Sequence, residues 1–339
     1  MKNLSLNLND LSAYRTQIMG LATIMIIACH AHPSGVVMPG WLSFILGFGN
    51  LGVDIFLLLS GIGLYYSLKK RELKTVWGGV KYYKSRIYRV YIPYLFVYIP
   101  YCVIFLLLGK YSSGDSLLCL TTLEFWVFHR GAWFVSLIIV LYLFSPFLFK
   151  LLDSKFKWLW VTLIVTIIVL MCNFIDVDKS NNSITGNVLF ALERVPCFVI
   201  GMAIGAECKR NRKVPLWWVI IAAIGYFVSY RFFSIDKGII WLIIPMIAYL
   251  SVLMVKVFGK ISLLGKSINL LGNISLESYL TNITVNSLLL ALIPAYISSP
   301  LFYGRWLEYS IVIVFGVLAA FYVNKYSKRL ILKLMSNIE

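Results

Sequence analysis

The chain has 339 residues, 60% of them hydrophobic and 13% charged, with a mean hydropathy of +0.84. Soluble proteins carry roughly 25% charged residues, so this composition excludes a soluble enzyme or binding module and points to a single integral membrane domain over residues 1–339. The net charge of +17 does not signal a nucleic-acid partner, because the basic residues sit in alternate short connections between apolar runs, as in polytopic membrane proteins.

Residues 1–14 are polar, with one lysine and no pattern of a cleavable leader. The first span, 12–32, is therefore expected to act as its own insertion signal. It carries His30 near its far end, among Ile26, Ile27, Ala28 and Cys29. An ionisable side chain at membrane depth usually faces a protein interior or a wet cavity, and histidine binds its proton nearest neutral pH. The sharp reading makes His30 a catalytic base; the plain one makes it an interfacial histidine. His32 is two residues on, points away from His30, and reads as interfacial.

The second span, 43–67, opens with Gly49-Asn-Leu-Gly-Val-Asp54. Span one runs outward and span two returns, so Asp54 is expected at the depth of His30, where a carboxylate would set the imidazole tautomer. The alternative is a helix-start carboxylate favoured by the helix dipole. Gly61 and Gly63 read as positions of close helix packing.

The next connection is the most basic, with Lys69, Lys70, Arg71, Lys74, Lys81 and Lys84 before Arg86 and Arg89. Topology and anionic headgroups account for the lysines. Arg86 and Arg89 are three apart at a helix start and share a face. Guanidinium pairs suit phosphate oxygens, so a phosphate-bearing cosubstrate or a lipid phosphate is expected there.

Eight further spans follow, at 88–109, 132–150, 157–175, 187–207, 214–233, 238–258, 271–293 and 305–325. The predicted class is thus all-α, a polytopic transmembrane helical bundle of about ten spans. Under this count, 24 of the 31 Lys and Arg fall on the side of the two termini. That bias places both termini in the cytoplasm and His30 toward the outer face.

The other polar residues within or beside spans have two readings each. His129 and Arg130 precede Trp133 in an outer loop that can meet a sugar. Glu193 and Arg194 form either a structural ion pair with neighbouring helices or part of a substrate site. Ser275, Tyr279, Asn282 and Asn286 form one helical stripe, for interhelical hydrogen bonds or for an acceptor cavity. Gly201 and Gly205 have packing spacing. The six cysteines are scattered and form no metal-ligand pattern, so no metal is expected.

Six segments then fall into a recognisable order. They are His30 at the end of span one, Gly52-Val-Asp-Ile-Phe-Leu-Leu-Leu-Ser-Gly61, and Arg86-Ile-Tyr-Arg89 with Pro93. Next come Trp133-Phe-Val-Ser136 with Tyr142 and Pro146, then Arg194-Val-Pro-Cys-Phe-Val-Ile-Gly201, then Leu271-Gly-Asn-Ile-Ser-Leu-Glu-Ser-Tyr-Leu280. In this order, over nearly the whole chain, they resemble the acyltransferase 3 family of bacterial integral membrane acyltransferases. The resemblance implies transfer of an acyl group, usually acetyl from acetyl-CoA, to a hydroxyl of an extracytoplasmic or lipid-linked glycan, in the bacterial cytoplasmic membrane. It implies that His30 is the essential histidine and that Arg86 and Arg89 serve the acyl-CoA.

Three departures are visible. Many members have Arg where this chain has Met19; many have Glu where Ile138 and Ile139 stand; some have His where Thr281 and Asn282 follow Leu280. Arg15 lies one turn before Met19. It projects about 60° from His30 and about 22 Å along the axis, which assigns it to the donor end. Trp133, Tyr279, Asn282, Glu193 and Arg194 are the expected substrate-binding residues, and Asp54 the partner of His30. Within the same class, succinyl or another acyl group is an open donor. A transporter or flippase for a lipid-linked glycan is the reading from another class.

Overall fold

A computed structural model describes residues 5–70, 76–175, 183–233, 235–292 and 305–336. Helices dominate it. In hydrocarbon each backbone N–H and C=O must be satisfied within the protein, and a continuous apolar run of about 20 residues does so as a helix. A short strand β1 (Ser5–Asn7) and α1 (Leu8–Ala13) precede α2 (Arg15–His30). α3 (Gly40–Gly47) and a 3-10 turn lead into α4 (Leu51–Lys70), then α5 (Val76–Leu107). Two short helices, α6 (Ser113–Leu120) and α7 (Glu124–Phe128), connect to α8 (Trp133–Leu152) and α9 (Lys157–Phe174). α10 (Ile184–Leu192), α11 (Val195–Lys209), β2 (Lys213–Pro215) and α12 (Leu216–Phe232) follow. The chain continues with α13 (Ile244–Phe258), α14 (Ser262–Asn273), α15 (Ser275–Leu292) and α16 (Trp306–Ser336).

Each of the ten segments expected to span contains helix. Among the described residues, six helical stretches are long and apolar enough to cross a bilayer: Gly40–Lys70, Gly78–Leu107, Trp133–Leu152, Lys157–Phe174, Ile184–Lys209 and Trp306–Ser336. α2, α12 and α13 have 16, 17 and 15 residues, short of the ~20 that a hydrocarbon core asks for. α15 has 18 residues and carries Glu277, Asn282 and Asn286.

Three further differences from the sequence reading are local. The sixth segment is broken at Glu193–Arg194, because a new helix starts at Val195 with Pro196 in its first turn. The ninth begins at Ser275, and α14 before it is a separate amphipathic helix. β1 and β2 pair antiparallel, with Leu6 opposite Val214, and form the one sheet among the described residues. α6 is closed by a capping box, in which the Ser112 hydroxyl and N–H hold the Asp115 carboxyl below its ordinary range.

Ion pairs gather the basic connections and the N-terminal helix at one end of the bundle. Lys256 Nζ meets Asp10 Oδ2 at 2.7 Å, Lys69 meets Asp153 at 2.7 Å, and Lys157 meets Glu207 at 2.6 Å. On α16, Asn324 Nδ2 donates to Glu277 Oε1 at 2.9 Å. We call this the basic end. At the other end His129 Nδ1 and Asn187 Oδ1 are 2.8 Å apart, and Asn173 Nδ2 donates to the Lys237 carbonyl at 2.9 Å.

The centre is the α4–α11 crossing. A Cβ on Gly201 would strike the Leu58 carbonyl, and one on Gly61 would strike the Phe198 carbonyl. These backbones cannot separate without opening the core, so Gly201→Ala is expected to cost about 1–3 kcal/mol through overpacking. Thermal unfolding of the purified variant in detergent reads this; an unchanged midpoint would mean the two helices are not held at that distance.

Candidate active site: a cavity at the basic end

Four cationic side chains from three helices converge on one cavity of about 620 Å³. Arg15 comes from the first residue of α2, Arg86 and Arg89 from α5, and Lys328 from the extended end of α16. Arg15 lies across α4 at Gly63, where a Cβ would stand 3.1 Å from Nη2. Gly63 thus makes room for a guanidinium rather than for a helix backbone. Arg86 Nη2 donates to Ser67 Oγ, and its guanidinium lies 5.9 Å from the Tyr82 ring centroid. The expected juxtaposition of Arg15 with Arg86 and Arg89 is therefore present.

The deep wall is apolar and aromatic. Phe56, Phe134, Ile138 and Tyr142 line it, together with Tyr279. Phe134 and Tyr279 meet edge to face at 5.8 Å between ring centroids. The Phe134 N–H and the Tyr279 hydroxyl are 3.5 Å apart. Glu277, held by Asn324, is the carboxylate on the cavity lining. A ligand suited to this space has anionic groups at one end and a slender, weakly polar arm at the other.

His30 is not on that lining. Met19 is, and His30 lies only about 20° around α2 from Met19 and about 16 Å further along it. Thr23 and Ile26 occupy the same face between them and are buried. His30 thus continues the cavity-facing column of α2, behind two packed residues. Its Nδ1 is buried and makes no hydrogen bond among the described residues.

The expected pairing of His30 with Asp54 is corrected by the register of α2 against α4. Gly49 abuts the Met25 carbonyl, Gly52 the Ala22 carbonyl, and Gly63 the Arg15 side chain. Asp54 is therefore level with about residue 22 of α2, roughly 12 Å short of His30 at 1.5 Å per residue. Its partner is on α11 and its flank. Arg194 Nη1 donates to Asp54 Oδ2 at 2.6 Å and Arg194 Nε to Glu193 Oε1 at 3.1 Å. Cys197 Sγ donates to Asp54 Oδ1 at 3.7 Å. Asp54 is fully buried and Arg194 nearly so. Of the two readings of Glu193 and Arg194, the interhelical ion pair describes this geometry.

The remaining expected substrate residues are dispersed. Tyr279 is in the cavity. Trp133 packs on Phe190 at the opposite end from Arg86, with ring centroids 5.3 Å apart, beside the His129 cluster. Asn282 is buried against Gly316 of α16. Sequence reasoning did not find Lys328; it lies three residues past the expected span end at 325, on a helix that continues to Ser336.

A cavity with four cationic side chains, set in a bundle of long apolar helices, fits a multi-pass membrane protein. The profile of the acyltransferase domain family matches residues 18–325, and the chain belongs to that family. Membership makes it a membrane acyltransferase, with an acyl donor and an acceptor. No curated protein and no solved structure matches the chain significantly.

Proposed function

We propose that the protein transfers an acetyl group from cytoplasmic acetyl-CoA to a hydroxyl of an extracytoplasmic or lipid-linked glycan, in a bacterial plasma membrane with both termini cytoplasmic. The observation that carries this reading is the convergence of Arg15, Arg86, Arg89 and Lys328 on one cavity with an aromatic inner wall. The guanidinium groups match the phosphates of a CoA, and the apolar, aromatic lining at Phe56, Phe134 and Tyr279 matches a thioester arm. All ten segments then act as spans, the shorter ones crossing beside longer neighbours.

In this mechanism the acceptor oxygen attacks the thioester carbonyl carbon while His30 removes its proton. The carbon–sulfur bond breaks, and the thiolate leaves as CoA. Separation of Thr23 and Ile26 from their neighbours opens the column of α2 between Met19 and His30. The other order of events has His30 attack first, giving an acetyl-histidine that the acceptor then cleaves. Labelled acetyl trapped on the protein without acceptor would select the second order.

Arg89→Gln tests the donor assignment. Loss of a charge-assisted hydrogen bond, about 1.5–3 kcal/mol, raises the KM for acetyl-CoA about ten- to a hundredfold. kcat stays within a few-fold, since the phosphates are remote from the reacting carbon. A KM unchanged in both Arg86→Gln and Arg89→Gln would place the donor elsewhere.

A further inference from the structure

A second cavity system lies on a different side of the bundle. At the basic end a bowl of about 1040 Å³ is lined by seven basic and two acidic side chains, a surplus of five positive charges. The two carboxylates are already engaged: Asp153 by Lys69 at 2.7 Å, Glu207 by Lys157 at 2.6 Å and Arg212 at 3.2 Å. Lys155 and Lys209 are exposed on its rim and make no ion pair among the described residues.

The bowl continues into an apolar groove of about 450 Å³, with Trp158, Glu207 and Arg212 lining both. The groove follows α11 from Glu207 past Ile204 and Ile200 to Cys197, with Trp218 and Trp241 on its walls. Ten residues of helix make it about 15 Å long, half of the ~30 Å hydrocarbon thickness of a bilayer. The Trp241 indole N–H is buried there without a partner among the described residues.

We propose that this system holds one anionic bilayer phospholipid, with its phosphate in the bowl and one acyl chain along α11. Charge names the headgroup, since a lipid of net negative charge is drawn to a surplus of five cations and a zwitterionic one is not. Length names the chain, since the groove spans one leaflet from the side where headgroups lie. The basic rim and the apolar groove form a continuous path, so a single amphiphile meets both. A lipid seated there packs against α11 beside Cys197, whose thiol touches Asp54.

The test uses the purified full chain in detergent, titrated with phosphatidylglycerol, phosphatidylcholine or inorganic phosphate and read by native mass spectrometry. The expected result is one phosphatidylglycerol retained at least tenfold more tightly than phosphatidylcholine. Lys155→Gln with Lys209→Gln should lower that retention about tenfold. Ile204→Trp, which fills the groove without altering charge, should also lose it, with circular dichroism confirming an intact helical fold. Equal retention of the two lipids, retention untouched by either variant, or displacement of phosphatidylglycerol by inorganic phosphate would each overturn the proposal. None of these readouts depends on acyl transfer, so its failure leaves the catalytic reading standing, and the reverse also holds.

Discussion

His30→Ala is expected to lower kcat for acyl transfer by about 10²–10⁴-fold, the usual contribution of a positioned base. The KM for acetyl-CoA should change by less than about threefold, because the cationic groups lie at the Arg15 end of the cavity and its lining on α2 stops at Met19, about 16 Å along the helix from His30. Folding should survive. The ring is only half-buried, its Nδ1 makes no hydrogen bond among the described residues, and deleting it strands no partner. The two orders of events differ in the residue left behind. If His30 is only a base, a slow uncatalysed attack on the bound thioester persists; if it carries the acetyl group, turnover ends. Steady-state kinetics of the purified variant, beside its thermal midpoint, separate lost chemistry from lost fold.

The second large effect is on stability. Arg194→Ala leaves Asp54 fully buried with no cation, and breaking a buried pair from one side costs about 3–5 kcal/mol. Asp54→Ala has the mirror effect on Arg194, softened because Glu193 still meets its Nε. The charge-free triple variant Asp54→Leu, Glu193→Gln, Arg194→Met should lose far less than the sum of the single losses, since it removes the desolvated charges together. Unfolding of each variant in one detergent supplies the cycle. If Arg194→Ala unfolded like the wild type, the network would be solvated and not the tie between α4 and α11.

That network shows where sequence reasoning ends. The apolar runs were legible because a bilayer permits few alternatives to helix, and ten of ten expected segments contain one. Arg86 and Arg89 were legible as one face from spacing, and Arg15 as a residue of the same end from the ~22 Å of helix that separates it from His30. Depth between helices was not. Asp54 looks level with His30 when each span is counted from its own end. Gly49 and Gly52 shift α4 against α2, and that shift exists only once the helices pack. Arg194 is 140 residues from Asp54, and no local pattern announces their contact. Tyr279 and Asn282 share a helix and a polar stripe, yet one lines the cavity and the other packs on Gly316. A stripe is wide enough to face two neighbours, and periodicity does not say which side is wet.

The measurement closest to the central claim is release of free CoA thiol by purified protein supplied with acetyl-CoA and a glycan acceptor. The account predicts CoA release that needs acceptor beyond the first turnover, equals the acetyl gained by the glycan, and falls away in Arg89→Gln at low donor and in His30→Ala at any donor. Movement of the glycan across a bilayer with no thiol released would contradict it.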